Sequence, residues 1–592
     1  LQSKTKTSEI LTPAYRQAGS PPIKNHATAW FFVKKNLYVI ILKKCKTFCV
    51  LFLKMIKPRA KNIIWQSIKI HYGWLLLVLI IGSFYVHPER IINLDEDNFF
   101  NEIVKDLSSL SSDQKQATTT TSTNPESIFK KLNIDREVSK AYTLKSLYDA
   151  RNDFLLAGNN LVEVNLIDKK IRVYKKGKLE KEVNVHKRGA KINWGGTPEG
   201  IYKVGNKIRI AYSNAAEAYM PFALQIYGKF YLHGIPYYPN GDIIQSYNSG
   251  GCVQMKDEDA ETIFKLVEIN DPLIVIDSPH DEFKYPSEIP ENNPVLSSTS
   301  YLIADLDNNF VFISKNADKK YSIASVTKLM SASVVTENIT LDRYVFIDNQ
   351  DLLEAYGKTN GLEVGNKFRL YELLYPLLTE SSNDAATLMG QYMGQEKTVS
   401  MMNDKAKAIM MNDTEFKDVS GYDIGNVSTV NDLFYLGRYA KNITPLLLEI
   451  SKGKLVKIYG KLDFDFAKMK NKNVFWQEKN FIGGKTGFLT EAKNTGIFIF
   501  DMQLDKEKIK NYLEKKVVTE SGVQGLDSQT ADLVNSLNST SSTSTQTKTP
   551  ELKLPDSRSI VFIVLGSKSL KSDIWALKSW LAQNYFLVDK IK

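Results

Sequence analysis

The sequence predicts a multidomain fold in which a mainly-β domain precedes an α+β domain, with an N-terminal transmembrane helix. Three observations predict it. Short β-type runs broken by Gly and Asn fill residues 160–276, long helical patterns bracketed by strand-like runs follow from Thr299, and an apolar run, Tyr72–Val86, sits behind a basic leader. A chain of 592 residues exceeds what one hydrophobic core holds, and 43% apolar content is enough to build folded domains.

The net charge of +11 invites a nucleic-acid reading, but its distribution excludes one. Residues 1–70 hold 14 Lys/Arg against Glu9 alone, whereas the rest of the chain holds 63 basic and 65 acidic side chains. The excess belongs to the N-terminus rather than to a domain face, so no nucleic-acid partner is expected. Tyr72–Val86 (YGWLLLVLIIGSFYV) is shorter than the roughly 20 residues of a full span, but flanking residues can snorkel and no small-x-small cleavage site follows. An uncleaved single-pass anchor is expected, with a cleaved signal peptide as the rival, and the basic leader places everything from about residue 90 outside the cytoplasm. Met55 opens a compact Met-Ile-Lys-Pro-Arg-Ala-Lys lead into this run, so residues 1–54 read as a doubtful extension and 55–90 as the basic segment and anchor. A second span around Trp30–Leu53 is disfavoured by Lys34, Lys35, Lys43, Lys44 and Lys46. With a start at Met55, Cys45 and Cys49 fall away and Cys252 is the single thiol, unable to form an internal disulfide.

Residues 91–157 read as a tether, Ser/Thr-rich over Leu107–Asn124, followed by a helix over 126–157 on the spacing of Ile128, Leu132, Ile134, Val138, Tyr142, Leu144 and Leu147. The β domain spans 158–278, with strands at Leu161–Ile167, Lys170–Tyr174, Leu179–Val185, Ile201–Val204, Ile208–Ala211 and Phe230–His233. Pro279, Pro286, Pro290 and Pro294 mark an extended linker over 279–298. The last domain, 299–588, begins with strands Tyr301–Leu306 and Phe310–Ser314, regains β structure at Thr495–Phe500 and Ile560–Gly566, and ends in a helix, Asp573–Phe586. Between its last two strands lies a Ser/Thr-rich insertion at about 505–555, tolerable because closure entropy grows only logarithmically with loop length.

The chemistry of the last domain rests on three short motifs. Ser325-Val326-Thr327-Lys328 opens a helical pattern, and three-residue spacing puts the hydroxyl and the amine on one face, one turn apart. Taken alone, this is equally an exposed helix start capped by a serine. Ser381-Ser382-Asn383 and Gly484-Lys485-Thr486-Gly487 follow at intervals of 56 and 104 residues, in the order S-x-x-K, S-x-N, K-T-G. With the flanking Ser322–Met330, Asp418-Val419-Ser420-Gly421-Tyr422 and Phe488, the segments 299–502 and 556–588 resemble the D-alanyl-D-alanine carboxypeptidases, the low-molecular-mass penicillin-binding proteins.

That resemblance implies a helical cluster against a five-stranded antiparallel sheet, a serine β-lactamase and penicillin-binding-protein-like α+β fold. It implies Ser325 as nucleophile on the bond between two D-alanines, Lys328 as base, Ser381 as proton relay and Asn383 on the substrate amide. Lys485 and Thr486 would hold the terminal carboxylate, with Gly487 beside them, and the backbone amides of Ser325 and Phe488 would form the oxyanion hole. Ser382 stands where the family often has Gly, and the family's C-terminal β domain is absent. A β-lactamase shares the chemistry, but it needs a further carboxylate in an E-x-x-x-N arrangement, which Glu415-Phe416-Lys417-Asp418 does not supply.

In the β domain His233-Gly234 ends a strand, and Ser249-Gly250-Gly251-Cys252-Val253 follows within 20 residues. A thiol needs a base, and histidine is the side chain suited to it. Bare, the pair is also readable as a small buried residue and a satisfied core histidine. Together with Thr197–Tyr202 and Met220-Pro221-Phe222-Ala223, however, these residues resemble the L,D-transpeptidases over about 159–277. The resemblance implies a β-sandwich-like fold, Cys252 as nucleophile, His233 as base, Gly234, Gly251 and Cys252 supplying backbone around the oxyanion, and Ser249 among the substrate-binding residues. Gly250 stands where the family has His, and Gln254 where it has Arg or Asn, which leaves open an inactive, wall-binding domain.

The joint expectation is a bacterial, membrane-tethered, extracytoplasmic enzyme of two sites that trims and then cross-links peptidoglycan stem peptides. β-Lactam antibiotics would be covalent inhibitors, and a non-catalytic wall-binding scaffold is the alternative of another class. No cofactor is expected, and no metal, since six His and three Cys are scattered without ligand spacing.

Overall fold

A computed structural model describes residues 138–589 except 190–195, 215, 245–249, 280, 282, 286–289, 349–361, 457–461, 463–464, 510 and 513–554. The expected anchor Tyr72–Val86, the Ser/Thr-rich tether and Ser249 lie outside these residues, as does most of the insertion. Among the described residues no helix is long and apolar enough to cross a membrane. All of them belong to one compact unit, Phe129–Lys592.

The helix expected over 126–157 is corrected over its described part, from Val138 on: Val138–Thr143 is a strand, β1, and among these described residues only Leu147–Leu156 is helical, α1, opened by a capping box between Ser146 and Asp149. The local spacing favoured a helix, but β1 gains an antiparallel ladder along β12 (Phe310–Lys315), and the Tyr142 hydroxyl donates to the Asn431 Oδ1 and accepts from the Ser314 hydroxyl, each at 3.0 Å. Long-range pairing overrides weak local propensity.

After α1 the chain builds the mainly-β domain. β2 (Leu161–Asn165), β3 (Lys170–Lys175), β4 (Lys178–Asn184), β5 (Gly200–Lys203) and β10 (Pro272–Ile276) form a five-stranded sheet in the order β4-β3-β2-β10-β5. A second sheet runs β6 (Lys207–Ser213), β7 (Ala218–Tyr227), β8 (Phe230–His233), β9 (Val253–Gln254), with β8 and β9 parallel. Alternate residues Val162, Val164, Ile171 and Val173 meet Leu224, Ile226 and Leu232, and helix α2 (Asp257–Leu266) adds Ala260 and Ile263. β7 has no counterpart among the strands expected from sequence. Pro221 and the left-handed Phe222 (φ 52°) interrupt its pattern, and proline inside a run argues against a strand.

The linker carries no helix or strand among its described residues, yet it is pinned. Asp281 pairs with Arg558, and the Tyr285 hydroxyl donates to Asp305 at 2.6 Å.

The α+β domain has a seven-stranded sheet where the resemblance implied five strands. β11 (Ser300–Asp305), β12, β17 (Phe481–Leu489), β18 (Lys493–Leu504) and β19 (Arg558–Ser567) are joined by β1 beyond β12 and by β20 (Leu587–Asp589) on the far end of β18. β13 (Tyr321–Ser322) with β16 (Val427–Ser428), and β14 (Tyr344–Phe346) with β15 (Lys367–Arg369), form minor pairs. Both faces of the sheet are buried. Ile497, Ile499, Val561 and Ile563 face the helices α3 (Thr327–Asn338), α4 (Leu370–Tyr375), α5 (Asn383–Met393), α6 (Gln395–Ala408), α7 (Val430–Asn442) and α8 (Pro445–Ser451). Phe498, Phe500, Phe562 and Val564 face α9 (Leu570–Tyr585). The period-two alternation of β18 and β19 separates the two cores.

Because β1 belongs to this sheet, the β domain is an insertion between two strands of the α+β domain. The two also share core: Ala408 of α6 packs into the β domain's hydrophobic cluster, and Lys405 and Glu337 form a buried ion pair 2.7 Å apart against Tyr202 of β5 and Tyr227 of β7.

Candidate functional site

Ser325 lies in a single 3-10 turn, Ala324–Val326, that leads straight into α3, so Lys328 projects back over it one turn on. The Lys328 ammonium group is 2.9 Å from the Ser325 Oγ and 2.6 Å from the Asn383 Oδ1, and it also donates to the Ser420 carbonyl. Lys485, on β17, donates to the Ser381 Oγ at 2.8 Å. The three motifs thus share one cleft, although 160 residues separate the first from the last.

β17 ends the sheet on this side, and its outer edge runs against the nucleophile turn. A Cβ at Gly487 would stand 2.8 Å from the Ser325 amide nitrogen, so only glycine allows that approach. Thr486 and Phe488 flank this contact, the latter 65% exposed at the rim. Two non-glycine residues here have left-handed backbone, Ala324 (φ 48°) and Ser381 (φ 61°), and Ser381 follows a π-helical turn, Pro376–Glu380. Strain of this kind persists where the surroundings over-determine it.

Electrostatics suit the geometry. Burial brings Lys328 down to about 7, with Lys472 acting in the same direction and Asp418 and Asp384 opposing it. Burial, reinforced by Lys328 and Lys472, holds Lys485 well below the ordinary lysine range. Near neutral pH the cleft therefore holds an amine able to accept the Ser325 proton.

Sequence reasoning missed three supports. The Ser420 carbonyl orients Lys328, and the Asp418 carboxylate fixes that loop by accepting from the amides of Ser420, Gly421 and Asp423. Lys472 sits near enough to both cleft lysines to shift them. Asn473 is buried, donates to the carbonyls of Ser451 (2.7 Å) and Leu378 (3.3 Å), and accepts from the Thr486 amide (3.2 Å). The signals in sequence were the Asp418–Tyr422 segment, which carried the resemblance without a role for its members, and the polar Asn471-Lys472-Asn473 triplet ahead of β17. Asn473→Ala is expected to slow acylation of Ser325 by a fluorescent penicillin by about tenfold, since it leaves buried groups on both walls unpaired. A rate within twofold of wild type would count against this.

In the β domain Leu232 pairs with Val253 and His233 with Gln254 on parallel strands, so Cys252 enters β9 beside the strand that carries the histidine. His233 Nδ1 lies 2.6 Å from the Gly234 carbonyl. A carbonyl only accepts, so Nδ1 carries the proton and Nε2 keeps its lone pair. Burial lowers His233 to about 4, against the Gly234 contact and Asp257, and burial raises the Cys252 thiol to about 11, against a Tyr231 backbone contact and the charge of Lys229. Both groups are neutral at pH 7. Gly251 has φ 108° and its Cα faces the Phe230 ring, where a Cβ would collide at 2.3 Å. A Cβ at Gly250 would meet nothing within 4 Å among the described residues, and Gln254 is buried in β9.

The D-alanyl-D-alanine carboxypeptidase family model matches residues 288–499, and that of the L,D-transpeptidase catalytic domain matches residues 159–275. The chain is 34% identical over 163 residues to a D-alanyl-D-alanine endopeptidase of Escherichia coli (strain K12), covering 27% of this chain and 52% of that protein. It is 29% identical over 226 residues to a D-alanyl-D-alanine endopeptidase of Haemophilus influenzae, covering 36% and 72%. It is 27% identical over 211 residues to the Escherichia coli D-alanyl-D-alanine carboxypeptidase DacC, covering 33% and 51%. The chain spans about half the length of several of these curated relatives.

Proposed function

This chain carries a D-alanyl-D-alanine carboxypeptidase domain preceded by an L,D-transpeptidase catalytic domain, and from that premise we propose a bifunctional enzyme that first trims and then cross-links peptidoglycan stem peptides. Ser325 Oγ attacks the carbonyl between the terminal D-alanines as its proton passes to Lys328. The C–N bond breaks, Ser381 returns a proton to the departing amine, and water releases the tetrapeptide from the acyl-serine. Lys485 and Thr486 hold the terminal carboxylate. β-Lactams acylate the same serine. At the second site Cys252 transfers its proton to His233 and takes the acyl group of the tetrapeptide as a thioester, the C–N bond to the terminal D-alanine breaking as His233 returns the proton to the departing amine; an acceptor amine then attacks the thioester, forming the new amide and releasing the Cys252 thiol. Tyr72–Val86 tethers both domains outside the cytoplasm.

The observation that carries this reading is one amine within 2.9 Å of Ser325 and 2.6 Å of Asn383, with Lys485 on Ser381. Its test compares two substrates. Ser325→Ala should abolish D-alanine release from a pentapeptide stem and leave linkage from a ready-made tetrapeptide intact, and Cys252→Ala should do the reverse. Loss of both activities in Ser325→Ala with tetrapeptide supplied would overturn the proposed order.

Two observations favour narrower readings. Gln254 is buried and offers no charge to a substrate carboxylate, which favours an inert, wall-binding β domain. The relatives named endopeptidases favour cleavage of cross-linked rather than terminal D-alanyl bonds. Muropeptide profiles with cross-linked dimers as substrate separate the latter from carboxypeptidase action.

A further inference from the structure

The two candidate sites are joined by one helix. α3 begins at the Ser325–Lys328 turn, and twelve residues later, roughly 18 Å away, its C-terminal end meets the turn between β7 and β8. The Lys229 ammonium group donates to the carbonyls of Thr336 (3.2 Å) and Ile339 (3.3 Å), the last turn and cap of α3, where unsatisfied carbonyls favour a cation. The Asn338 side chain donates to the Tyr227 hydroxyl at 3.2 Å, and Gly228 (φ 52°) lies against the Asn338 Oδ1. On its other side the same turn reaches the thiol. The Cys252 Sγ lies 3.8 Å from the Lys229 carbonyl, and the Phe230 ring packs on Gly251.

We propose that Lys229 is a positioning residue for Cys252, anchored on the C-terminal end of the helix that carries the serine site. Its backbone carbonyl holds the thiol, and its ammonium group, fixed by α3, supplies the positive charge that favours the thiolate. Among the described residues, Tyr231 of β8 and Lys229 of the turn act on this thiol, with Glu337 of α3 behind Lys229, while His233 lies further along β8 with Asp257 of α2 beside it. Lys229 is the cation among these groups. The serine domain then acts as the platform on which the cysteine site is assembled. The inference rests on the proposed role of Cys252 as nucleophile.

The test is the pH dependence of Cys252 alkylation by iodoacetamide in the full chain, followed by mass spectrometry, with fluorescent-penicillin labelling of Ser325 as the control for folding. In Lys229→Met the midpoint should move up by about half a pH unit or more, and alkylation at pH 7 should slow about threefold, with Lys229→Arg restoring both. An unchanged profile in Lys229→Met overturns the proposal. Should Lys229→Met also lose Ser325 labelling, Asn338→Ala decides, because it frees the turn without removing a charge: alkylation about threefold slower supports the proposal, and a wild-type rate sinks it. A profile that follows Lys229 in a protein that forms no linkage from tetrapeptide would sink the transferase reading and leave the positioning role standing.

Discussion

Lys328→Met is expected to slow acylation of Ser325 by about 10³-fold while leaving the protein folded and, below pH 7, more stable. An ordinary lysine near 10.5 is deprotonated in only a few molecules in ten thousand at pH 7, but at about 7 roughly half the molecules hold a free amine. Acylation by the wild-type protein should therefore rise with pH through about 7 and level off above about 8. The stability effect has a definite sign. Between about 7 and 10.5 the unfolded chain binds a proton that the native chain does not, so Lys328 makes stability rise with pH across that window and imposes its full cost below it. Methionine fills a similar volume without a charge to bury. Acylation kinetics and denaturation midpoints at pH 6 and pH 9 check both arms. A flat acylation rate across that range would remove Lys328 from the role of base.

Lys405→Ala is expected to cost about 3–5 kcal/mol, a large stability loss at a position outside the catalytic residues of either site. Its ammonium group is fully buried, 2.7 Å from Glu337, 3.9 Å above the Tyr227 ring, and within hydrogen-bond reach of the Tyr202 and Tyr439 hydroxyls. Removing it strands the Glu337 carboxylate between two domains with Tyr439 as its remaining donor in that cluster. The double variant Lys405→Met/Glu337→Met should recover most of the loss, because a buried pair replaced by apolar volume is often neutral. Chemical denaturation followed by separate probes of the two domains reads the result. Wild type should unfold in one transition and Lys405→Ala in two. A single variant within 1 kcal/mol of wild type would show that the interface does not rest on this pair.

Much of the candidate serine site was legible because its parts are local. The turn that aligns Ser325 with Lys328 follows from a spacing of three, whereas the close approach of Gly487 to the Ser325 amide came only with the tertiary structure. Ser420 and Asn473 were not legible as supports. They act through a backbone carbonyl and through bonds to three other segments, so the segment around Ser420 carried a resemblance but no role, and Asn473 leaves no periodic or motif-like trace. β7 was hidden for a different reason, since Pro221 and the left-handed Phe222 break the very alternation by which a strand is read.

The amino-acid order by itself determined the two domain types, the apolar faces of β18 and β19, and the residues able to do acyl chemistry, because each depends on neighbours within a few positions. Only the tertiary structure decided that Val138–Thr143 is a strand of the second domain, that the first domain is therefore inserted into it, and that one helix reaches from Ser325 to the turn beside Cys252. These are outcomes of pairing and packing between segments far apart in the chain, where burial and ladder hydrogen bonds outweigh the local preferences that sequence patterns report.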